Sequence, residues 1–138
     1  MLQPIRLALV AGLTLSLLGL GIGPSVAGVP VTVKTRMTGW VSKYHGDYVY
    51  RAGDTAGLEV ALWPMFPGEK VKARLEWRDH GRPWRLLDIS RARLNREARA
   101  LFKVRRVPEG FRFRIRVAIA ATEEHGAGRS VWSKFRAR

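Results

Sequence analysis

The chain has 138 residues, with 25 Lys and Arg against 11 Asp and Glu, a formal net charge of +14 and no cysteine. That composition excludes disulfide bonding, thiolate chemistry and cysteine-ligated metal centres, so the fold must hold together by packing alone. A charge this large favours anionic partners such as cell-wall polymers, acidic polysaccharide, nucleic acid or lipid head groups.

The first element is a processing segment. Residues 1–6 carry one cation, Arg6, and residues 7–23 are apolar and uncharged. Ser25 and Ala27 then stand where a signal peptidase reads small residues, which places the cut before Gly28. A charged start, an apolar run and a small-x-small exit describe a cleavable secretory signal helix over residues 1–27. The rival is a retained membrane anchor, but the apolar run is slightly short for a span and rich in glycine. There is no twin arginine and no lipid-anchor cysteine, so the expected location is secreted, at the cell envelope.

Residues 28–138 form one domain, long enough to bury a real core. They hold 24 cations and 11 carboxylates, a net +13 once Arg6 is removed. Nineteen of the chain's cations are Arg and six are Lys. A GC-rich base composition accounts for part of that ratio but not for the positive excess.

Along this domain, short alternating runs separated by turn residues indicate an all-β sandwich or barrel. Val29, Val31 and Val33 alternate first, and a polar, turn-rich stretch surrounds Tyr48–Tyr50. Leu58, Val60 and Leu62 point inward, with Glu59 outward. After the turn "PGEK", Val71, Ala73, Leu75 and Trp77 point inward, and Lys72, Arg74, Glu76 and Arg78 outward. "RDHGRP" has the composition of a tight hairpin turn with Gly81 at positive φ, and "WRLLDI" returns. Residues 90–104 are ambiguous. Leu94, Ala98, Leu101 and Phe102 make a helical stripe that Ser90 caps, whereas Ala100, Phe102 and Val104 alternate like a strand. "FRFRIRVAI" (111–119) is the most regular stretch, with Phe111, Phe113, Ile115, Val117 and Ile119 inward and Arg112, Arg114 and Arg116 outward. "EEHGAG" is a loop, and "SVWSKF" a last strand.

From Tyr48 onward the pattern resembles the immunoglobulin-like or fibronectin type III-like sandwich domains of secreted actinobacterial proteins. The matching stretches are "YRAGDTAGLEVAL", "PGEKVKARLEWRDHGRPWRLL", "LNREARALFKV", "PEGFRFRIRV" and "GAGRSVWSKF". In that family an Asp/Asn-x-x-Gly turn precedes a strand. Here the turn reads Asn95-Arg96-Glu97-Ala98, with alanine where glycine is usual. The resemblance implies an antiparallel immunoglobulin-like sandwich of about seven strands, makes Ala100–Val104 a strand, and implies binding or adhesion rather than catalysis.

In such a sandwich the strand at Val71–Arg78 pairs with Phe111–Ile119, and the last strand lies beside the latter. That arrangement gathers Lys72, Arg74, Arg78, Arg112, Arg114, Arg116, Trp132, Lys134 and Arg136 on one face, eight cations against the single carboxylate Glu76. Successive outward residues lie about 6.6–6.8 Å apart. Like charges at that spacing repel by only about 0.6 kcal/mol in water. The row therefore stands as a solvated strand face without a ligand, and also as a polyanion-binding face. The expected partner is an anionic cell-wall polymer or acidic polysaccharide, captured by guanidinium forks with Trp132 stacking beside them.

Other groupings carry less. Most of the five tryptophans suit core or hairpin packing, with Trp40 and Trp132 the best placed for exposure. Those two support the alternative of an aromatic-based carbohydrate- or protein-interaction module. Ser42, His45 and Asp47 crowd into six residues, whereas a working triad is assembled from distant parts of a chain. His45, Asp79, His80, Glu123, Glu124 and His125 show no recognised metal-ligand spacing, and no phosphate-cradling glycine motif occurs. The expectation is a non-enzymatic domain without cofactor or metal and without specific nucleic-acid recognition, touching a membrane only through an uncleaved signal segment.

Overall fold

The computed structural model describes residues 28–138. The expected signal helix lies outside the described residues. In chain order the strands are β1 (Thr32–Thr38), β2 (Ser42–Tyr44), β3 (Asp47–Tyr50), β4 (Ala56–Trp63), β5 (Lys70–Arg78), β6 (Arg85–Arg93), β7 (Arg99–Val104), β8 (Arg112–Ile119), β9 (Gly128–Arg129) and β10 (Ser133–Ala137). No described residue is helical. The fold is all-β, with ten strands where about seven were expected. The surplus is three short pieces, β2, β3 and β9, of which β3 comes from the stretch that reads as polar and turn-rich.

The strands form two sheets. The smaller has the order β1-β4-β7, and the larger β2-β3-β10-β8-β5-β6, with β9 attached to β8. All pairings are antiparallel except β10 with β3. Alternation decides which side of each strand is buried, since successive side chains point to opposite faces. Val33, Met37, Leu58, Val60, Leu62 and Phe102 from the smaller sheet meet Val71, Ala73, Leu75, Phe113, Ile115, Val117, Ile119 and Phe135 from the larger in one core. Phe135 and Phe113 stack with ring centroids 5.2 Å apart, and Tyr50 meets Phe135 edge-on at 5.9 Å.

Residues 90–104 are strand, turn and strand. β6 runs to Arg93 and β7 starts at Arg99. The helical stripe fails because Leu101 is exposed, while Leu94, Ala98 and Phe102 are buried. Asn95 is the local cause. Its Oδ1 accepts from the backbone N–H of Glu97 (2.9 Å) and of Arg99 (3.0 Å), which turns the chain instead of propagating a helix. Ala98 sits at φ = +56°, the left-handed region that a glycine would fill at lower cost. Alanine carries the strain of this turn.

Two further turns position the site. β2 and β3 are joined by His45 and Gly46, whose φ of +48° and +84° match a type I′ hairpin turn. Gly81, at φ = +73°, turns the chain between β5 and β6 as its sequence context indicates.

Tyr50 is fully buried, and its hydroxyl donates to the backbone carbonyl of Thr38 at 2.8 Å. Burial, with a smaller contribution from Tyr48, pushes its pKa from 10.0 up to about 12. The raised value means the folded state favours the neutral phenol. Stability is therefore fully present below pH 10 and is lost as pH rises from 10 towards about 12. Alkaline denaturation is expected to show this loss, roughly 2–3 kcal/mol, and Tyr50→Phe should flatten it.

Candidate anion-binding face

The outer side of the larger sheet carries the site. β8 contributes Arg112, Arg114 and Arg116 because its other side is committed to the core through Phe113, Ile115 and Val117. Its neighbours are β5 and β10, as expected. Register sets Arg78 beside Arg112 and Arg112 beside Arg136, then Glu76 beside Arg114 and Arg114 beside Lys134, then Arg74 beside Arg116. Lys72 lies one pair further on, opposite Ala118. All eight cations share this face, and Trp132, just before β10, packs against them.

The cations are not simply solvated. Two buried carboxylates hold four of them. Glu76 is only 6% exposed; its Oε2 accepts from Arg74 Nε at 2.6 Å and its Oε1 from Arg114 Nε at 2.7 Å. Asp47, 2% exposed, accepts from Arg112 Nε and a terminal nitrogen, both at 2.8 Å, and Arg136 Nε lies 3.6 Å away. The face thus has two carboxylates, not one. Asp47 comes from β3, 65 residues before its partner Arg112. Burial pushes the Glu76 carboxyl up, but the hydrogen bonds from Arg74 and Arg114 outweigh this and hold it below the usual carboxylate range. Arg116 has no carboxylate within ion-pair distance among the described residues. Burial, then Arg129 and Arg114, lower its pKa.

Aromatic rings separate the guanidinium groups. Trp84 lies 4.7 Å from Arg78 Cζ and 4.6 Å from Arg114 Cζ. Trp132 lies 4.1 Å from Arg114 Cζ and 4.3 Å from Arg116 Cζ. The result is an alternating stack, Arg78-Trp84-Arg114-Trp132-Arg116. Each contact contributes about 0.5–1 kcal/mol where exposed and more where water is excluded. Tyr44, on β2, serves Arg136 and Arg138 the same way, at 4.9 and 4.4 Å. Stacked faces and carboxylate-held edges fix the guanidinium planes, and a fixed donor fork loses less entropy when it binds an oxyanion.

Trp84 reads as a hairpin-packing residue in the sequence, and its role in the stack was missed. The available signal was its place in "GRPWR", one residue before β6, beside a strand whose outer side is cationic. Trp132 is half-buried rather than exposed, because arginines cover it. Trp40 remains partly exposed, but its indole N–H donates to the Met37 carbonyl at 3.1 Å and Lys43 covers its ring at 5.5 Å. Trp77 is half-buried and meets Phe111 edge-on at 5.0 Å.

The outer side of the smaller sheet is less one-sided. It shows Lys34, Arg99 and Lys103, with Arg36 bridged to Glu59 at 2.6 Å. Arg105 lies beyond the end of β7. Of the crowded triad types, Asp47 gives its carboxylate to arginine, and His45 is exposed in the turn. Among the described residues, no group of three or more His, Asp or Glu side chains is placed to hold a metal ion.

No protein-family model matches the chain, and a search of the curated proteins returns no match. The reading of this face therefore stands on its geometry.

Proposed function

We propose that the protein is a secreted, non-enzymatic binding domain that works at the cell envelope and captures an anionic cell-wall polymer or acidic polysaccharide on the outer face of its larger sheet. The observation that carries this is the distribution of charge. Eight cations share the face with two carboxylates, and both carboxylates are buried beneath arginines, so the side turned to water is almost wholly positive. The proposed fold type is an immunoglobulin-like or fibronectin type III-like sandwich. It is supported by a sheet in which β5, β8 and β10 are neighbours, opposite one in which β1, β4 and β7 are neighbours. Aromatic capture of a neutral glycan or a protein has less support, because cations already occupy the faces of Trp132 and Trp40.

The test is retention on heparin or teichoic acid as salt is raised. Arg112 and Arg114 are poor choices for substitution, because each satisfies a buried carboxylate. Lys72, Arg116 and Lys134 have no carboxylate partner among the described residues. The triple change Lys72→Gln, Arg116→Gln, Lys134→Gln is expected to lower the eluting salt concentration markedly while leaving thermal stability nearly unchanged. Retention indifferent to ionic strength, or unaltered in the folded triple variant, would exclude the proposal.

A further inference from the structure

The basic face has two unlike ends. Toward Arg112 and Arg136 the cations are held by Asp47, and in the middle Glu76 holds Arg74 and Arg114. Toward the start of β5 and the end of β8 the sheet carries cations alone. Register sets Lys72 of β5 between Arg91 of β6 and Ala118 of β8, and sets Ala118 beside Arg129 of β9. One pair further out, Lys70 stands opposite Arg93. Directly opposed residues share a face of the sheet, and Ala118 has the parity of Arg112, Arg114 and Arg116. The row Arg91-Lys72-Ala118-Arg129 therefore crosses the same basic face.

Among the described residues, Lys70, Lys72, Arg91, Arg93, Arg116 and Arg129 have no carboxylate within ion-pair distance. Like charges directly opposite each other destabilise a strand pair, and here two such pairs follow in succession, Lys70 with Arg93 and Lys72 with Arg91. Elsewhere on the face the chain's own carboxylates offset the repulsion. At this end an external anion would do so.

Ala118 marks where that anion fits. It is half-buried, and its methyl group leaves a low floor among long side chains. Lys72 and Arg129 flank it at one strand spacing each, about 4.7–4.9 Å, and Arg116 stands two residues back along β8, about 6.6–6.8 Å away. Lys72 and Arg129 are exposed. Arg116 is half-buried, with Trp132 stacked 4.3 Å from its Cζ. The ring holds the guanidinium plane and leaves its N–H edge to donate. Donors thus surround the floor on three sides. A planar carboxylate presents its two oxygens in one plane and is satisfied by a single guanidinium fork. A tetrahedral oxyanion presents oxygens in several directions and can be met by all three cations together.

We infer that Lys72, Arg116 and Arg129 form a seat over Ala118 for a tetrahedral oxyanion, a phosphate or sulfate ester carried by the polymer, and that this seat makes the face prefer such polymers over those charged only by carboxylates. The inference rests on the polyanion reading of the face and adds selectivity to it. Attraction to the whole face depends on charge and ionic strength. The preference depends on three side chains and a small floor.

Three oligomers of equal charge test it: a polyol phosphodiester with four phosphates, a tetrasulfated oligosaccharide and tetragalacturonate. Affinities are measured at one ionic strength, beside salt-dependent retention of the long polymer. The phosphate or the sulfate oligomer is expected to bind about tenfold tighter than the galacturonate. Preference in either arm supports the seat, and the tighter arm identifies the ester. Arg129→Gln should remove most of that preference. Arg99→Gln deletes the same charge from the opposite sheet and should leave it intact. Ala118→Val raises the floor without altering any charge, and should abolish the preference while long-polymer retention stays as it was. Should Ala118→Val not fold, Arg129→Gln, at an exposed position, decides alone. Equal affinity for all three oligomers, or a preference that survives in the folded variants, overturns the seat even where retention remains salt-dependent. Retention of the long polymer that ignores salt, with the oligomer preference intact, overturns the sheet reading instead.

Discussion

Asp47→Ala is expected to destabilise the fold by about 3–5 kcal/mol, read as a shift in the chemical denaturation midpoint. Asp47 is 2% exposed and satisfies Arg112 through two hydrogen bonds of 2.8 Å. Removing it leaves the Arg112 and Arg136 guanidinium groups unpaired in a half-buried setting, side by side across the β8–β10 pair. A typical domain has only about 5–15 kcal/mol of stability in total, so the loss approaches the limit of folding. Glu59→Ala breaks an ion pair of similar length, 2.6 Å to Arg36, but a solvent-exposed one. Its expected cost is at most about 1 kcal/mol. Depth, not ion-pair distance, separates the two outcomes, and equal losses would refute the account. Acid acts on the same face through Glu76. Its carboxyl pKa is depressed in the fold, so its contribution is present above the ordinary carboxylate pKa and disappears as pH falls through the lower, folded value.

Phe135→Ala is the second large effect, again about 3–5 kcal/mol. Phe135 is fully buried, stacked on Phe113 at 5.2 Å and edge-on to Tyr50 at 5.9 Å. It sits in a strand of five residues flanked by β3 on one side and β8 on the other. Truncating the ring removes apolar burial and leaves a cavity that the surrounding rings can fill only in part. The loss also reaches the candidate site. The same strand presents Lys134 and Arg136, so a loosened β10 is expected to weaken polymer retention without any change to a cation. Leu101→Ala, on the exposed side of β7, should shift stability by less than about 0.5 kcal/mol. A similar cost at both positions would mean that the core does not sit between the sheets as described.

Much of the charged face was legible because it is a local property of strands. Alternation with period two assigns Arg112, Arg114 and Arg116 to the side opposite Phe113, Ile115 and Val117, whatever the strand pairs with. The neighbours β5 and β10 followed from the resemblance. The ambiguous stretch at 90–104 could not be resolved from periodicity. Helical and alternating readings share Phe102, and the deciding interactions are two hydrogen bonds from the Asn95 side chain to the backbone.

By itself the sequence determined the all-β class, the lack of covalent staples, and the outward direction of the arginines. These depend on composition, on hydrophobic period and on turn residues, all of which act over a few neighbouring positions. Only the tertiary structure decided what those arginines do to one another. Asp47 reaches Arg112 across 65 residues, and Trp84 inserts between Arg78 and Arg114 from a different strand connection. Such contacts depend on strand order and register, which bring distant residues within about 5 Å of each other across a sheet. A row of like charges thereby became a stacked, carboxylate-anchored surface.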